Sequence, residues 1–380
     1  MEAAFIYTNK YLNFDYGPYH PLRIARLALT YQLILSCGLL TNGRVSQIES
    51  PEATDQELLA FHTGSYLNAL KKADTGDFSV DLLAYGMGPG DNPVFQGLLQ
   101  WSKLLAGATL AGARMVAQRE TFIAFNIAGG MHHAYPDRAS GFCYVNDPVL
   151  ALKYLLSSAS RVLYLDIDAH HGDGVQTAFY ETPQVLTISF HQNGRTLFPG
   201  TGFTYEMGSR EGKGYAVNIP LAPGADDEIF LFAFREIAVP IIETYKPEFM
   251  VTQLGVDTFS EDPLAGLNLG TRAFSEVVGH LKSLNIGWLA LGGGGYNIFN
   301  VARAWTMAWA IMSGQTLPED IPQDFRDRYK DLDESIPMKF HDPAEVQDTG
   351  YKERAWQEAR EVVSTLKSTI FPFHGLNGTA

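Results

Sequence analysis

Short apolar runs recur along the chain, each closed by glycine or polar residues and followed by a stretch with helical spacing. The runs "FIYTN" (5–9), "TFIAFNIAGG" (121–130), "RVLYLDID" (161–168), "VLTISFH" (185–191), "FMVTQLGVD" (249–257) and "IGWLALGGGG" (286–295) read as strands. Between them, "LLQWSKLLAGATLAGARMVA" (98–117), "DPVLALKYLLSS" (147–158), "VQTAFYE" (175–181) and "DEIFLFAFREIAVPIIETY" (227–245) read as helices. Strand, loop, helix in repeated order predicts an α/β fold: a central parallel sheet with helices on both faces. No linker divides the chain before about residue 315. We therefore expect one domain over 1–315 and a charged, turn-rich C-terminal extension over 316–380, with a further amphipathic helix at 353–369.

The ionisable residues gather where these strands end: "GGMHHA" (129–134), "DIDAHHGD" (166–173), "GVDTF" (255–259) and "GGGGYN" (292–297). In a parallel sheet all four places fall on the carboxyl edge, where open α/β sheets build their sites. Strand alternation would point Asp166, Asp168 and His170 one way and Leu165, Ile167 and Ala169 the other. Such a row of buried charges costs several kcal/mol unless it is paired or holds a cation.

Asp168, His170 and Asp257 offer one nitrogen and two carboxylates. That set leaves positions open, which suits a catalytic divalent metal, Zn2+ or Fe2+, better than a closed structural site or calcium. His132 and His133 each need an orienting partner, and Asp166 and Asp173 are the spare carboxylates. Two such dyads would supply general base and acid. Four glycines before Tyr296 match neither a Walker A loop nor the dinucleotide fingerprint; they would bring backbone close to the site, with a phenol to donate to an oxyanion. Taken singly, each feature also has a plain reading as a loop, a cap or a core histidine.

A net charge of −14 weighs against a sequence-independent grip on nucleic acid and favours cationic substrates. Cys37 and Cys143 have no disulfide or zinc-finger spacing. With no signal-peptide pattern and no long apolar run, we expect a cytoplasmic protein without membrane attachment.

Together the quoted stretches, with "HPLRIARL" (20–27), "GFCYVND" (141–147), "TISFHQ" (187–192), "FPGTG" (198–202), "GKGYAVNIPL" (213–221) and "QLGVDTFSEDPL" (253–264), resemble the zinc-dependent histone deacetylase family of the arginase–deacetylase superfamily. The resemblance extends to class I enzymes and to bacterial acetoin-utilisation deacetylases, and implies about eight parallel strands. It implies zinc on Asp168, His170 and Asp257, with His133 backed by Asp173 as base and then acid. His132 backed by Asp166 would be electrostatic, and Tyr296 would polarise the acetyl carbonyl. It further implies a lysine channel lined by Gly141, Phe142, His171, Phe198 and Leu264, with Asp91 at its rim. A potassium or sodium ion would sit on Asp166, Ser189 and the backbone of Asp168, His170 and Phe190. Substrate choice would reside in rim loops such as 74–92 and 193–212. The expected activity is removal of acetyl groups from lysines of a protein or peptide, whether histone-like or an acetylated metabolic enzyme.

A binuclear ureohydrolase would need further carboxylates where this chain has Gly172 and Phe259. Acetylpolyamine hydrolysis is the closer alternative, but it expects an acidic gatekeeper where Leu264 stands. A silent acetyl-lysine reader would have lost a ligand, an imidazole or Tyr296, and this chain retains them all.

Overall fold

In the strand Val162–Asp166, Leu163 and Leu165 face one apolar core while Val162 and Tyr164 face another. A strand covered on both faces must lie inside a layered α/β sheet. The computed structural model, which describes residues 2–77, 79–332, 336–343 and 350–377, has that architecture. Its strands are β1 (Ala3–Tyr7), β2 (Val45–Glu49), β3 (Ile123–Asn126), β4 (Val162–Asp166), β5 (Val185–Gln192), β6 (Ala216–Leu221), β7 (Phe249–Gln253) and β8 (Gly287–Leu291). They form one eight-stranded sheet in the order β2-β1-β3-β8-β7-β4-β5-β6. Every pairing is parallel.

The strands legible as apolar runs are all present. β2 and β6 escaped that reading because they are the sheet's edges. β2, "VSQIE", buries only part of its surface, and β6, "AVNIPL", carries Asn218 and a proline tolerated at an edge. The helix expected at 98–117 runs Leu98–Ala117, and the one at 147–158 stops at Leu155. The stretch 227–245 is not one α-helix. A π-turn at Phe234–Ala238 separates Asp227–Ala233 from Val239–Tyr245, just before Pro240, which has no N–H for the i−4 carbonyl. The C-terminal helix, Lys352–Thr369, lays Ala355, Ala359, Val363 and Leu366 against β6 and helix Asp227–Ala233. Within the extension, 333–335, 344–349 and 378–380 lie outside the described residues, as does residue 78 in the loop 74–92. Among the described residues no helix is long and apolar enough to cross a membrane.

The four site-bearing strands, β3, β8, β7 and β4, are consecutive in the sheet. Their last paired residues, Asn126, Leu291, Gln253 and Asp166, lie in one register across it. The loops that follow therefore leave the sheet side by side at one level.

Asn146 ties these loops together. Its side chain caps helix Asp147–Leu155 and donates to the carbonyls of His132 and Ala134, while its own N–H donates to His62 Nε2 at 3.0 Å. That bond needs neutral His62, which burial presses down to about 4. The unfolded chain thus binds this proton more tightly, so the stability is present above about pH 6.5 and is lost as pH falls toward 4. Folding free energy should drop by about 2 kcal/mol between pH 8 and 5 from this group alone, at 1.36 kcal/mol per pKa unit. From denaturant titrations at both pH values, the fall in unfolding free energy should be smaller in His62→Gln than in wild type by that amount; equal pH dependence would contradict it.

Candidate active site

Beyond Asp166 the chain leaves strand geometry, so alternation does not set the directions of Asp168 and His170. A bend does: His170 N–H donates to Asp168 Oδ1 at 3.0 Å, and Asp168 N–H donates to Asp166 Oδ1 at 3.0 Å. The bend turns His170 Nδ1 back between two carboxylates, 3.2 Å from Asp168 Oδ1 and 2.8 Å from Asp257 Oδ2. One ligand atom from each of Asp168, His170 and Asp257 lies within 4.8 Å of the others, all buried. Burial disfavours charge on this imidazole, yet the two carboxylates push it up to about 10. A bound cation would displace that proton, and two carboxylates with a neutral imidazole then offer two negative charges, a donor set that fits a divalent ion.

Backbone donors hold the carboxylates. Gly294 N–H reaches Asp168 Oδ2 at 2.6 Å, and Ala169 N–H reaches Asp257 Oδ1 at 2.8 Å. The glycine run makes the first contact: a Cβ on Gly294 would lie 2.2 Å from Asp257 Oδ2 and 2.7 Å from Asp168 Oδ2. Gln253, which the sequence reading missed, donates to Gly130 O at 2.8 Å and Asp168 Oδ2 at 3.3 Å.

Both histidine dyads form as expected. His132 Nδ1 lies 2.8 Å from Asp166 Oδ2, and His133 Nδ1 lies 2.7 Å from Asp173 Oδ1. The two Nε2 atoms are 3.0 Å apart, so one must donate and the other accept. Burial opposes charge on His132, but Asp166 and Asp168 outweigh it and raise the ring to about 9. Burial and the neighbouring His132 lower His133 to about 4. One imidazole is therefore charged and the other is neutral at neutral pH. Asp147, also missed, places this pair: its buried carboxylate accepts from Gly130 N–H, Met131 N–H and Thr109 Oγ1. An asparagine and aspartate opening a helix, the "ND" of 146–147, were the available signal.

Tyr296 is 8% exposed and its N–H donates to Asp262 Oδ2 at 2.9 Å. Its ring is edge-on to Phe142 at 5.8 Å and to His170 at 6.4 Å between centroids. Phe198 stands on the other side, edge-on to His133 at 5.0 Å. Gly141 has φ +51 and leaves the gap between: a Cβ there would lie 2.5 Å from the His133 ring and 2.8 Å from Phe198. Phe142 and Tyr296 thus line a small aromatic passage that reaches Asp168 and His170, with Phe198 beside it. Leu22, Arg26 and Met131, unmarked in the sequence, also line the cavity.

Leu264 is half-buried on the next loop, where Asp262 holds its N–H at 2.9 Å as well as that of Tyr296. Asp91 is exposed, and its carbonyl lies 3.2 Å from His20 Nε2, whose ring abuts Phe142. His171 is not on the passage wall. It is buried, with Nδ1 2.8 Å from Thr201 Oγ1 and Nε2 3.2 Å from Gln176 Oε1, because neighbouring side chains on the bend diverge. Asp166 pairs in register with Ser189, next to Phe190 on β5, so the side chains suggested for a monovalent cation are adjacent.

A buried Asp–His–Asp group that could hold a divalent metal, paired imidazoles and a phenol meet around one passage. Comparison with known proteins gives the family. The histone deacetylase domain family matches residues 20–312. Histone deacetylase B of Dictyostelium discoideum is 42% identical over 312 residues, covering 82% of this chain and 73% of that protein. Histone deacetylase 9 of Arabidopsis thaliana is 41% identical over 325 residues, covering 85% and 76%. The crystal structure of a histone deacetylase homologue from Aquifex aeolicus aligns with TM-score 0.85 at 35% identity, covering 96% of this chain and 99% of that one. A homologue complexed with SAHA aligns with TM-score 0.85 at 36% identity. This chain belongs to the histone deacetylase family.

Proposed function

We propose that the chain is a zinc-dependent lysine deacetylase that hydrolyses the acetyl amide of lysine side chains in proteins and releases acetate. The observation that carries this reading is the small passage lined by His133, Phe142 and Tyr296, which reaches Asp168 and His170 of the Asp168–His170–Asp257 group, with Phe198 edge-on to His133. An alkyl-amine stem fits such a passage, and its amide would arrive at the ligand set.

Asp168, His170 and Asp257 would hold the ion, zinc or ferrous iron, which when bound supplies Lewis acidity and lowers the pKa of water. His133, held by Asp173, takes the proton from the attacking water and later gives it to the departing amine. Tyr296 donates to the oxygen that becomes an oxyanion. His132, charged and anchored on Asp166, stabilises the negative charge that develops nearby. A potassium or sodium ion at Asp166, Ser189 and the backbone of Asp168, His170 and Phe190 would neutralise the carboxylate beneath.

Leu264, an apolar residue where an acidic gatekeeper would favour a polyamine, supports a lysine substrate. The net charge of −14 supports a cationic protein or peptide partner over nucleic acid. Acetate release from an acetyl-lysine peptide and from an acetylated polyamine, measured in parallel on zinc-loaded protein, tests the assignment. Peptide turnover is expected to exceed polyamine turnover by about tenfold or more, a difference of about 1.4 kcal/mol in barrier. Cleavage of the polyamine alone would transfer the activity to small amines.

A further inference from the structure

The proposed reaction uses Asp173 only through the oxygen that meets His133, yet both oxygens are engaged. Oδ1 accepts from His133 Nδ1 at 2.7 Å and from Gly174 N–H at 2.9 Å, while Oδ2 accepts from Tyr135 Oη at 3.0 Å. Asp173 is 5% exposed, so little water is at hand to replace the phenol.

Tyr135 is itself built in. Its N–H donates to Arg138 O at 3.0 Å, and the Arg138 guanidinium lies 3.8 Å from the ring centroid. The loop is pinned at both ends, by Thr63 N–H on Pro136 O at 2.8 Å and by Ala139 N–H on Tyr85 O at 2.9 Å. The second dyad also engages a tyrosine, though on the shared oxygen: Asp166 Oδ2, which meets His132, accepts from Tyr164 Oη at 2.8 Å as well. Each imidazole therefore leans on a carboxylate that a tyrosine steadies.

We infer that Tyr135 is a positioning residue for the reaction: its phenol pins the free oxygen of Asp173 and thereby fixes the ring plane and tautomer of His133. This rests on His133 as the proton carrier proposed above. A carboxylate held through one oxygen can turn about its Cβ–Cγ bond, and the imidazole follows it. A second donor stops that rotation and draws charge from the carboxylate, weakening its pull on the imidazole N–H.

The test is Tyr135→Phe in the full chain, which removes one hydroxyl from a half-buried ring. Removing such an outer partner is expected to lower kcat on an acetyl-lysine peptide by about tenfold, with KM within about twofold. The His133 Nδ1 proton, observed by proton NMR and assigned by its loss in His133→Gln, should move downfield because Asp173 has lost a competing donor. Wild-type kcat with an unmoved resonance would overturn the inference. If thermal melting shows the phenylalanine variant unfolded, Arg138→Ala takes its place. It keeps the phenol but frees the ring, and should lower kcat about twofold at constant KM; no change would refute the role. Should wild-type protein cut no acetyl amide, the proposed function falls, while the resonance still decides whether Tyr135 governs Asp173 and His133.

Discussion

Asp168→Asn is expected to lower kcat/KM by on the order of 10³-fold or more, about 4 kcal/mol of transition-state stabilisation. Two effects add. The substitution removes one of two negative charges that a divalent ion needs in a buried site. It also sets an amide among donors, since Oδ2 now accepts from Gly294 N–H and Gln253 Nε2 and Oδ1 accepts from His170 N–H. An amide nitrogen at either place faces an N–H, so the group rotates or the loop shifts. Metal content after dialysis should fall together with acetate release. Retained metal with activity within tenfold of wild type would show that Asp168 is not a ligand.

Gly294→Ala should be nearly as damaging although it changes no charge. The added methyl would sit 2.2 Å from Asp257 Oδ2 and 2.7 Å from Asp168 Oδ2, closer than Cβ contacts come, so both carboxylates must move. Displacing ligands in this way should weaken metal binding and kcat/KM by about 100-fold, with about 1–3 kcal/mol of lost stability from overpacking. Gly279→Ala is the control. It lies in helix Thr271–Ser283 with nothing within 4 Å of the added carbon, and should stabilise slightly through helix propensity. Metal titration and denaturant unfolding of the two variants separate the centre from the scaffold. Equal metal affinity in Gly294→Ala and wild type would show that the glycine run is not needed to admit the ligands.

Much of the site was legible because chemistry-bearing residues stand directly after apolar strands. Asp168, His170, Asp257, the two dyads and Tyr296 all follow runs whose strand character is local, and the parallel fold puts such residues on one edge. What escaped notice was of another kind. Gln253, Asn146 and Asp147 act through bonds to backbone remote in sequence, and an amide or carboxylate inside an apolar run carries no label for its partner. Arg26 reaches the cavity from helix Ala25–Ser36 by donating to Gly295 O at 3.0 Å, a contact no spacing rule foreshadows. His171, which the family resemblance implied in the passage, is instead buried against Thr201 and Gln176.

By itself the sequence determined the layer type, the polarity of the sheet and which ionisable groups stand at its carboxyl edge, because these follow from local patterning. Which strands are neighbours was settled only in three dimensions. β3, β8, β7 and β4 meet across crossovers of very different length, and their shared register brings Asp257 and Gly294 to Asp168. The seating of those carboxylates on the Gly294 and Ala169 N–H groups, at 2.6 and 2.8 Å, was decided there as well. Packing of buried faces selects the strand order, and no local interaction along the chain encodes it.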